Sequence, residues 1–437
     1  MSQLASANNH ISAEETARKF VGLLFISPEQ MDEPLREISE NWEDGYTPML
    51  IETMSLSKAE RAHLLLGLLQ NKTGNNLGLD TNQWFSWWWR QEQAPAPGYA
   101  AFKSTLYGLI DVRFRDYFGT NRESRIRLDE VRWGGVHQDG IPPLRQPKML
   151  AAAEAHYLED DNIVFGIEIN GDARAYPKRI LAWHEMFVDE IGGTNFAGVY
   201  CTLCGAVILY KTNHAGIQHD LGTSGFLYRS NKLMYDKATQ SLWNTTWGEP
   251  VIGPLVGRGI RLERSFLVTT TWGEWKRRHP RSKVLSLETG YSRDYGEGVA
   301  YQQYFATDEL MFSISTSDNR LPNKDEVLAL IFPDYSDDTM AISASFLQNR
   351  PIYVNRLGSL KFIVLTDSSG ANRVYEAKDH SFTAYDQDIT VIDSEGIKWK
   401  LSEDKLKTDD LELARLPAHR AFWFGWHAAF PDTQLIK

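Results

Sequence analysis

The chain has 437 residues, a length that predicts about three domains at roughly 150 residues each. Hydrophobic residues make up 42% and charged residues 24%, an ordinary globular composition that excludes a disordered or fibrous chain. Lys and Arg total 46 against 57 Asp and Glu, for a net charge of -11. This balance argues against a dedicated nucleic-acid or anionic-membrane surface, because both require a basic footprint.

The start of the chain carries no pattern of an export signal. Residues 1–10 have neither a basic region nor an apolar run, and no later segment approaches the roughly 20 apolar residues that span a bilayer. We therefore expect a soluble cytoplasmic protein with no membrane partner.

Residues 1–120 are predicted to form an all-helical domain. Apolar residues recur at helical spacing at Ala17, Phe20 and Val21, and a second apolar run ends before Gly74. Such helical pairs resemble HEAT-like units, and we expect them to dock onto the rest of the chain or onto a partner protein. The tryptophan cluster at 84–89 is predicted to be buried between helices rather than to stack a ligand.

The remaining chain is predicted to be a duplicated, β-rich α+β core. Residues 121–322 form the first copy and residues 323–437 a second, degenerate copy. Apolar strands at 164–169 and 327–332 open the two copies, and Trp-x-x-Trp phrases at 272–275 and 423–426 close them. Similar phrases in the same order indicate tandem repetition.

The duplication allows an internal comparison of the two copies. Cys201 and Cys204 of the first copy correspond to Thr366 and Ser369 of the second, and Arg350 stands where the first copy has His184. Framework glycines and aromatic residues persist in both copies. Groups present only in the first copy are therefore the better candidates for chemistry.

The motif Cys201-Thr-Leu-Cys204 holds the only two cysteines of the sequence. This spacing lets both sulfurs point into one volume, where they could bind zinc or copper, cycle to a disulfide, or supply one nucleophile. The alternative is a pair of inert buried thiols. A structural zinc site with four cysteines is excluded, because a second pair is absent.

His184-Glu185 is the predicted partner of the two cysteines. An imidazole with two thiolates would give three protein ligands and an open position, the pattern of a catalytic or redox metal site. Copper is preferred over zinc, since a dithiolate suits Cu(I). Glu185 would orient the imidazole or act as a general base, while the simpler alternatives are a core histidine and a solvated glutamate.

These residues belong to a longer set of motifs that resembles the prokaryotic domain-of-unknown-function family 3179, over roughly residues 125–437. The resemblance is carried by Asn170-Gly-Asp-Ala-Arg-Ala-Tyr-Pro177, His184-Glu185, Tyr200-Cys-Thr-Leu-Cys-Gly205, Ser224-Gly-Phe-Leu227 and Met234-Tyr-Asp-Lys-Ala-Thr-Gln-Ser-Leu-Trp243. Thr202 departs from the family's usual proline. The resemblance implies a motif set but no substrate.

Four further motif residues, Arg174, Tyr176, Ser224 and Asp236, are candidates for substrate binding. Arg174 and Tyr176 could bind an anionic substrate or form a structural ion pair, and Ser224 and Asp236 could contact substrate or hold turns.

The sequence favours a copper- or zinc-dependent enzyme, an oxidoreductase or redox protein, acting on a small molecule at Cys201, Cys204 and His184. A metal-free thiol–disulfide or thiol-nucleophile enzyme is the second hypothesis. The third is a non-enzymatic binding or scaffold protein that recruits a partner through its helical domain.

Overall fold

The computed structural model describes residues 13–119 and 121–437, so the first twelve residues of the predicted helical domain lie outside the described part. Six α-helices come first: α1 (Ala13–Gly22), α2 (Asp32–Glu40), α3 (Thr47–Ser55), α4 (Ala59–Thr73), α5 (Thr81–Trp89) and α6 (Tyr99–Tyr107). Helix α4 ends where expected, since Gly74 caps it in the left-handed conformation at φ 71°.

Aromatic contacts and a buried ion pair join the N-terminal helices to one another. Phe20 of α1 meets Phe102 of α6 with ring centroids 6.3 Å apart. The buried Lys103 ammonium lies 2.7 Å from the Glu52 carboxylate and joins α6 to α3. The prediction of buried tryptophans is confirmed for Trp84, Trp88 and Trp89.

The first β-rich half contains seventeen strands and two helices. They are β1 (Val131–Trp133), β2 (Leu144–Arg145), β3 (Met149–Ala151), β4 (Ile163–Ile169), β5 (Asp172–Pro177), α7 (Lys178–His184), β6 (Met186–Ile191), β7 (Thr194–Cys201), β8 (Ala206–Lys211), β9 (Asn213–His214), β10 (Ile217–Gln218), β11 (Leu221–Tyr228), β12 (Asn231–Asp236), β13 (Leu242–Asn244), β14 (Glu249–Ile252), β15 (Arg264–Ser265), β16 (Val268–Thr271), α8 (Trp272–Arg278) and β17 (Lys283–Leu285).

The second half follows the short helix α9 (Gln302–Phe305). It comprises β18 (Glu326–Ile331), β19 (Thr339–Ser343), α10 (Ala344–Gln348), β20 (Ile352–Leu357), β21 (Leu360–Thr366), β22 (Asn372–Glu376), β23 (Phe382–Tyr385), β24 (Thr390–Asp393), β25 (Lys398–Leu401), β26 (Lys405–Lys407), β27 (Glu412–Leu416), β28 (Ala418–Phe422), α11 (Trp423–Ala429) and β29 (Gln434–Ile436).

The first half has three five-stranded sheets and the two-stranded sheet β10-β9. The five-stranded sheets have the orders β1-β11-β12-β13-β14, β15-β8-β7-β6-β2 and β16-β4-β5-β17-β3. The second half has a sheet of order β28-β18-β19-β29 and an eight-stranded sheet of order β20-β21-β22-β27-β26-β25-β24-β23. The helices α1–α6 cover the first of these sheets, β1-β11-β12-β13-β14. Phe226 of β11 and Tyr235 of β12 share one apolar core with the helices.

The predicted α+β class is confirmed: the long helices lie before residue 108, and the rest of the described chain is rich in strands. The domain boundaries at 120 and 322 stay predictions. Along residues 13–119 and 121–437, we find no helix with the length and apolarity that crossing a membrane requires.

Candidate thiol site

The two cysteines occupy a tight turn between adjacent antiparallel strands. Cys201 ends β7 and pairs with Ala206, the first residue of β8. The Cys204 N–H donates to the Cys201 carbonyl at 3.2 Å. Gly205 completes the turn at φ 58°, and a Cβ there would lie 2.9 Å from the Phe422 ring. Glycine therefore satisfies both the backbone and the packing at this position.

The turn brings the two sulfur atoms to 2.7 Å from each other. Both residues are free cysteines, and each is only 1% exposed. The prediction that the spacing directs both sulfurs into one volume is confirmed. A disulfide bond, at about 2.04 Å between sulfurs, needs only a small further approach from this position.

The second half of the chain closes over this turn. The Phe422 N–H donates to the Cys204 carbonyl at 2.7 Å. A Cβ on Gly425 of α11 would lie 2.9 Å from the Cys204 Cβ. The Tyr304 hydroxyl donates to the Leu203 carbonyl at 2.8 Å. The thiols are therefore sealed between the two halves.

The environments of the two thiols differ in their electrostatics. Burial raises the pKa of the Cys201 thiol, but hydrogen bonds from Cys204 and from the backbone of Lys232 and Cys204 outweigh burial, so the net pKa is lowered. Burial, together with the neighbouring Cys201 thiolate, holds the pKa of Cys204 well above its ordinary value. Loss of a proton from the pair is therefore favoured at Cys201 over Cys204.

A buried ion pair lies beside the thiols. The Lys232 Nζ of β12 is 3.2 Å from Glu185 Oε2 and donates to the Glu185 carbonyl oxygen at 3.1 Å. The Tyr301 hydroxyl is 3.4 Å from Glu185 Oε1. Burial lowers the pKa of Lys232, whereas the charges of Glu185 and Cys201 act in the opposite direction.

A cavity of about 60 Å³ connects these groups. Its polar side is formed by Cys201, Glu185, Lys232 and Tyr301. The rest of its lining is mainly apolar or backbone: Gly134, Val136, Ile141, Leu203, Thr223, Gly225, Phe226, Leu227, Met311 and Phe312. The arrangement presents the Cys201 sulfur and the Lys232–Glu185 ion pair to a small, mostly apolar space.

His184 makes its hydrogen bonds elsewhere. It is fully buried at the end of α7, and its Nδ1 is 2.8 Å from the Pro142 carbonyl, so Nδ1 carries the proton and donates. Nε2 therefore accepts from the Tyr295 hydroxyl at 2.6 Å. Burial, aided by the charge of Arg293, lowers the pKa of His184.

The structure thus brings Cys201, Cys204 and Glu185 together, but it gives neither ring nitrogen of His184 a sulfur as its partner. Within the described residues, no group of three or more His, Cys, Asp or Glu side chains is arranged to hold a metal ion.

Arg174 and Tyr176 take the structural alternative. Arg174 lies 2.6 Å from both Asp172 and Asp189. The Tyr176 hydroxyl donates to the buried Asp189 carboxylate at 2.7 Å. These groups form one network between β5 and β6, and neither residue lines the cavity beside Cys201.

Ser224 and Asp236 also bond to the backbone of their own sheet. The Ser224 hydroxyl donates to the Leu233 carbonyl at 2.6 Å and joins β11 to β12. Asp236 Oδ1 accepts from the Thr239 N–H at 2.9 Å, and its Oδ2 is 3.0 Å from His219 Nδ1. Ser224 and Asp236 do not line the cavity. The two residues that flank Ser224 in sequence, which are Thr223 and Gly225, do line it.

Lys232 and Tyr301 are site residues that the sequence reasoning missed. Lys232 is the one basic residue of a strand, Asn231–Asp236, whose six positions are all buried. Lys232 directly precedes the apolar residues Leu233, Met234 and Tyr235, and a lysine beside such a run is a signal, since a buried ammonium requires a partner. Tyr301 lies just before the four-residue helix α9 and has no comparable signal.

The comparison with known families assigns the chain. The family described as Protein of unknown function (DUF3179) matches residues 138–433, which include both cysteines and most of the two β-rich halves. The chain belongs to this family, as its motifs predicted. No curated protein and no solved structure matches the chain.

Proposed function

We propose that the chain is an oxidoreductase whose redox centre is the Cys201–Cys204 dithiol. The observation that carries the proposal is the 2.7 Å separation of two free sulfurs, one with a lowered and one with a raised pKa. This asymmetry supplies an attacking thiolate and a protonated partner, the pair that thiol–disulfide chemistry requires. Oxidation would join the sulfurs while two electrons and two protons pass to a small oxidant.

The functional roles follow from the contacts. Cys201 is the attacking sulfur, because it lines the cavity, whereas Cys204 faces the Ser230 carbonyl at 3.4 Å. Cys204 would resolve the oxidised Cys201. Lys232 and Glu185 would position a proton at the cavity wall.

A redox titration tests the proposal. The full chain is incubated in buffers of reduced and oxidised dithiothreitol until the thiol count no longer changes, so that slow access to the buried sulfurs does not affect the result. Thiols are then counted by alkylation in denaturant and by intact mass. We expect two thiols to disappear together with a loss of two hydrogens, reversibly. Cys201→Ser and Cys204→Ser should each abolish the transition. If the wild type keeps both thiols in the most oxidising buffer while remaining folded, the proposal is wrong.

A copper or zinc site is the second candidate function. It is supported by the two converging sulfurs, since thiolates are ligands for either metal, and solvent or substrate would fill the remaining coordination positions. The adjacent Lys232 ammonium opposes a second cation there. Elemental analysis after purification from copper- and zinc-supplemented cells should find about one metal per chain if this candidate holds, and the Cys201→Ser/Cys204→Ser variant should lose it.

We also propose that the two β-rich halves are tandem copies. In the first, β16 and β5 flank β4 in antiparallel pairs and β17 runs parallel to β5. In the second, β28 and β19 flank β18 in antiparallel pairs and β29 runs parallel to β19. The same pairing directions recur in the same chain order, which supports duplication.

The helices that close the two sheets support the same proposal. Trp275 of α8 donates its indole N–H to Ser282 at 2.8 Å, and Trp426 of α11 donates to Thr433 at 2.9 Å. Each hydroxyl lies seven residues after its tryptophan. The HEAT-like pairing of the N-terminal helices stays a proposal, since α3 packs on the following helix α4 but α1 packs on α6.

A further inference from the structure

We propose that the oxidant of this site is a small hydroperoxide, which Cys201 attacks inside this narrow cavity. The inference rests on the proposed dithiol function and names the class of substrate. It is carried by the burial of Cys201 and by the size and lining of the cavity.

The burial of the thiols decides which oxidants can reach them. Each cysteine is 1% exposed, and the turn that holds them is covered by Phe422 and Gly425. Exchange with a disulfide requires the attacking sulfur to line up with both sulfurs of its target. A protein disulfide cannot enter a space of about 60 Å³, which has room for only a few water-sized molecules. A small peroxide fits this space.

The outer wall of the cavity is held by the helical domain. The Asn82 side chain of α5 donates to the Met311 carbonyl at 3.1 Å and accepts from the Ser313 N–H at 3.3 Å. The Arg132 guanidinium lies 4.0 Å from the Phe85 ring centroid and 6.0 Å from that of Phe312. These contacts hold Met311 and Phe312 at the outer edge of the cavity, where Met311 is 46% exposed, so the helical domain helps to set the width of the opening.

The lining suits a molecule with one reactive polar end. Cys201 and Lys232 stand on one side, and Leu227 and Phe312 belong to the apolar remainder. The lowered pKa of Lys232 makes its ammonium a better proton donor to a leaving oxygen. A hydroperoxide needs both a thiolate and a proton donor, because its O–O bond breaks to give an alkoxide or hydroxide.

The chemical step balances with the groups present. The Cys201 thiolate attacks the terminal oxygen of ROOH, an S–O bond forms and the O–O bond breaks. The leaving RO⁻ takes a proton from Lys232 and departs as ROH. Cys204 then attacks the sulfenic acid, so that the S–S bond forms, the S–O bond breaks and water leaves with the Cys204 proton. Lys232 regains its proton from solvent, and a thiol such as dithiothreitol reduces the disulfide.

The experiment follows single-turnover oxidation of the reduced full chain by hydrogen peroxide, tert-butyl hydroperoxide and cumene hydroperoxide. We expect hydrogen peroxide to oxidise Cys201 at least about tenfold faster than it oxidises free cysteine at the same pH. The rate should fall steeply with the size of the peroxide. Cys204→Ser should stop at a sulfenic acid on Cys201, seen as the gain of one oxygen and trapped by dimedone that is present when the chain is unfolded in denaturant.

Two variants address the proton donor and the size limit. Lys232→Met should slow the reaction with hydrogen peroxide by roughly 100-fold. Its matched control is Lys211→Met, since Lys211 forms a surface pair with Glu263 and should leave the rate unchanged. Phe312→Ala, a change in the cavity wall, should speed the reaction with cumene hydroperoxide relative to that with hydrogen peroxide.

The outcomes separate this inference from the function on which it rests. In one outcome, the dithiothreitol titration forms the disulfide while hydrogen peroxide oxidises Cys201 no faster than it oxidises free cysteine. That result would overturn the inference that a hydroperoxide is the oxidant, and the proposed dithiol function would stand. Equal rates for all three peroxides would also overturn it. The size series uses the wild-type protein, so the test remains decisive even if Lys232→Met fails to fold.

Discussion

Individual contacts shift the pKa values of Cys201 and Cys204 in opposite directions, although both thiols are equally buried. The hydrogen bonds that Cys201 receives lower its pKa despite burial, whereas Cys204 is left with burial and a negative neighbour. A dithiol whose members shared one environment would have no preferred attacking sulfur.

Replacing Cys204 with alanine removes a hydrogen bond to the Cys201 sulfur. We expect the pKa of Cys201 to rise, because burial is then opposed only by backbone donors. Thiolate absorbance measured against pH should show a thiolate below the ordinary cysteine range in the wild type and only at higher pH in Cys204→Ala. The reciprocal variant Cys201→Ala serves as the control, and its remaining thiol should titrate late. An unchanged Cys201 titration would contradict the account.

At the level of elements, buried charges join the strands of the eight-stranded sheet. Glu403, between β25 and β26, accepts from Arg373 of β22 at 2.8 Å and from Arg415 of β27 at 3.0 Å. All three side chains are buried. Burial raises the pKa of Glu403, but the two guanidinium groups and His279 hold it well below its ordinary value.

Glu403→Gln should therefore destabilise the protein by about 3–5 kcal/mol, because the buried Arg415 loses its carboxylate partner and the buried Arg373 keeps only Asp367. The folded-state pKa is lowered, so the stabilisation is present above the ordinary glutamate pKa and is lost as pH falls from there through the folded value. Urea unfolding at several pH values measures both effects. Glu412→Gln, which breaks the exposed pair with Lys405, is the matched control and should change little. Equal losses in the two variants would contradict the prediction.

For the whole molecule, we expect the helical domain and the core to unfold together, because they share one apolar core. Phe226 of β11 packs against Tyr107, Phe114 and Phe118, with ring centroids about 5 Å away in each case. The apolar core of α1–α6 is continuous with that of the five-stranded sheet β1-β11-β12-β13-β14. The helical domain also holds Met311 and Phe312 at the outer edge of the thiol cavity.

Phe226→Ala should lower the free energy of unfolding by about 3–5 kcal/mol, since it leaves a cavity where the helices meet the sheet. Helical and aromatic circular dichroism should still report one coincident unfolding transition. Phe25→Ala is the control, because Phe25 is 70% exposed. Two separate transitions in the wild type would show that the layers unfold independently.

The sequence alone determined the family, the α+β class and the CxxC turn. These follow from local patterns: the spacing of Cys201 and Cys204, a glycine after them that suits a tight turn, and the periodicity of apolar residues. The second half's Trp-x-x-Trp phrase likewise lies on a helix packed on a sheet, as its counterpart does.

Only the tertiary structure decided which groups surround the thiols. His184 and Glu185 are adjacent in sequence, yet the ring of His184 bonds to Pro142 and Tyr295 while Glu185 meets Lys232. The left-handed backbone of Glu185 at φ 54° ends α7 between the two side chains. Lys232 and Tyr301 reach the cavity from 28 and 97 residues beyond Cys204. Long-range packing sets such contacts, and no local pattern encodes them.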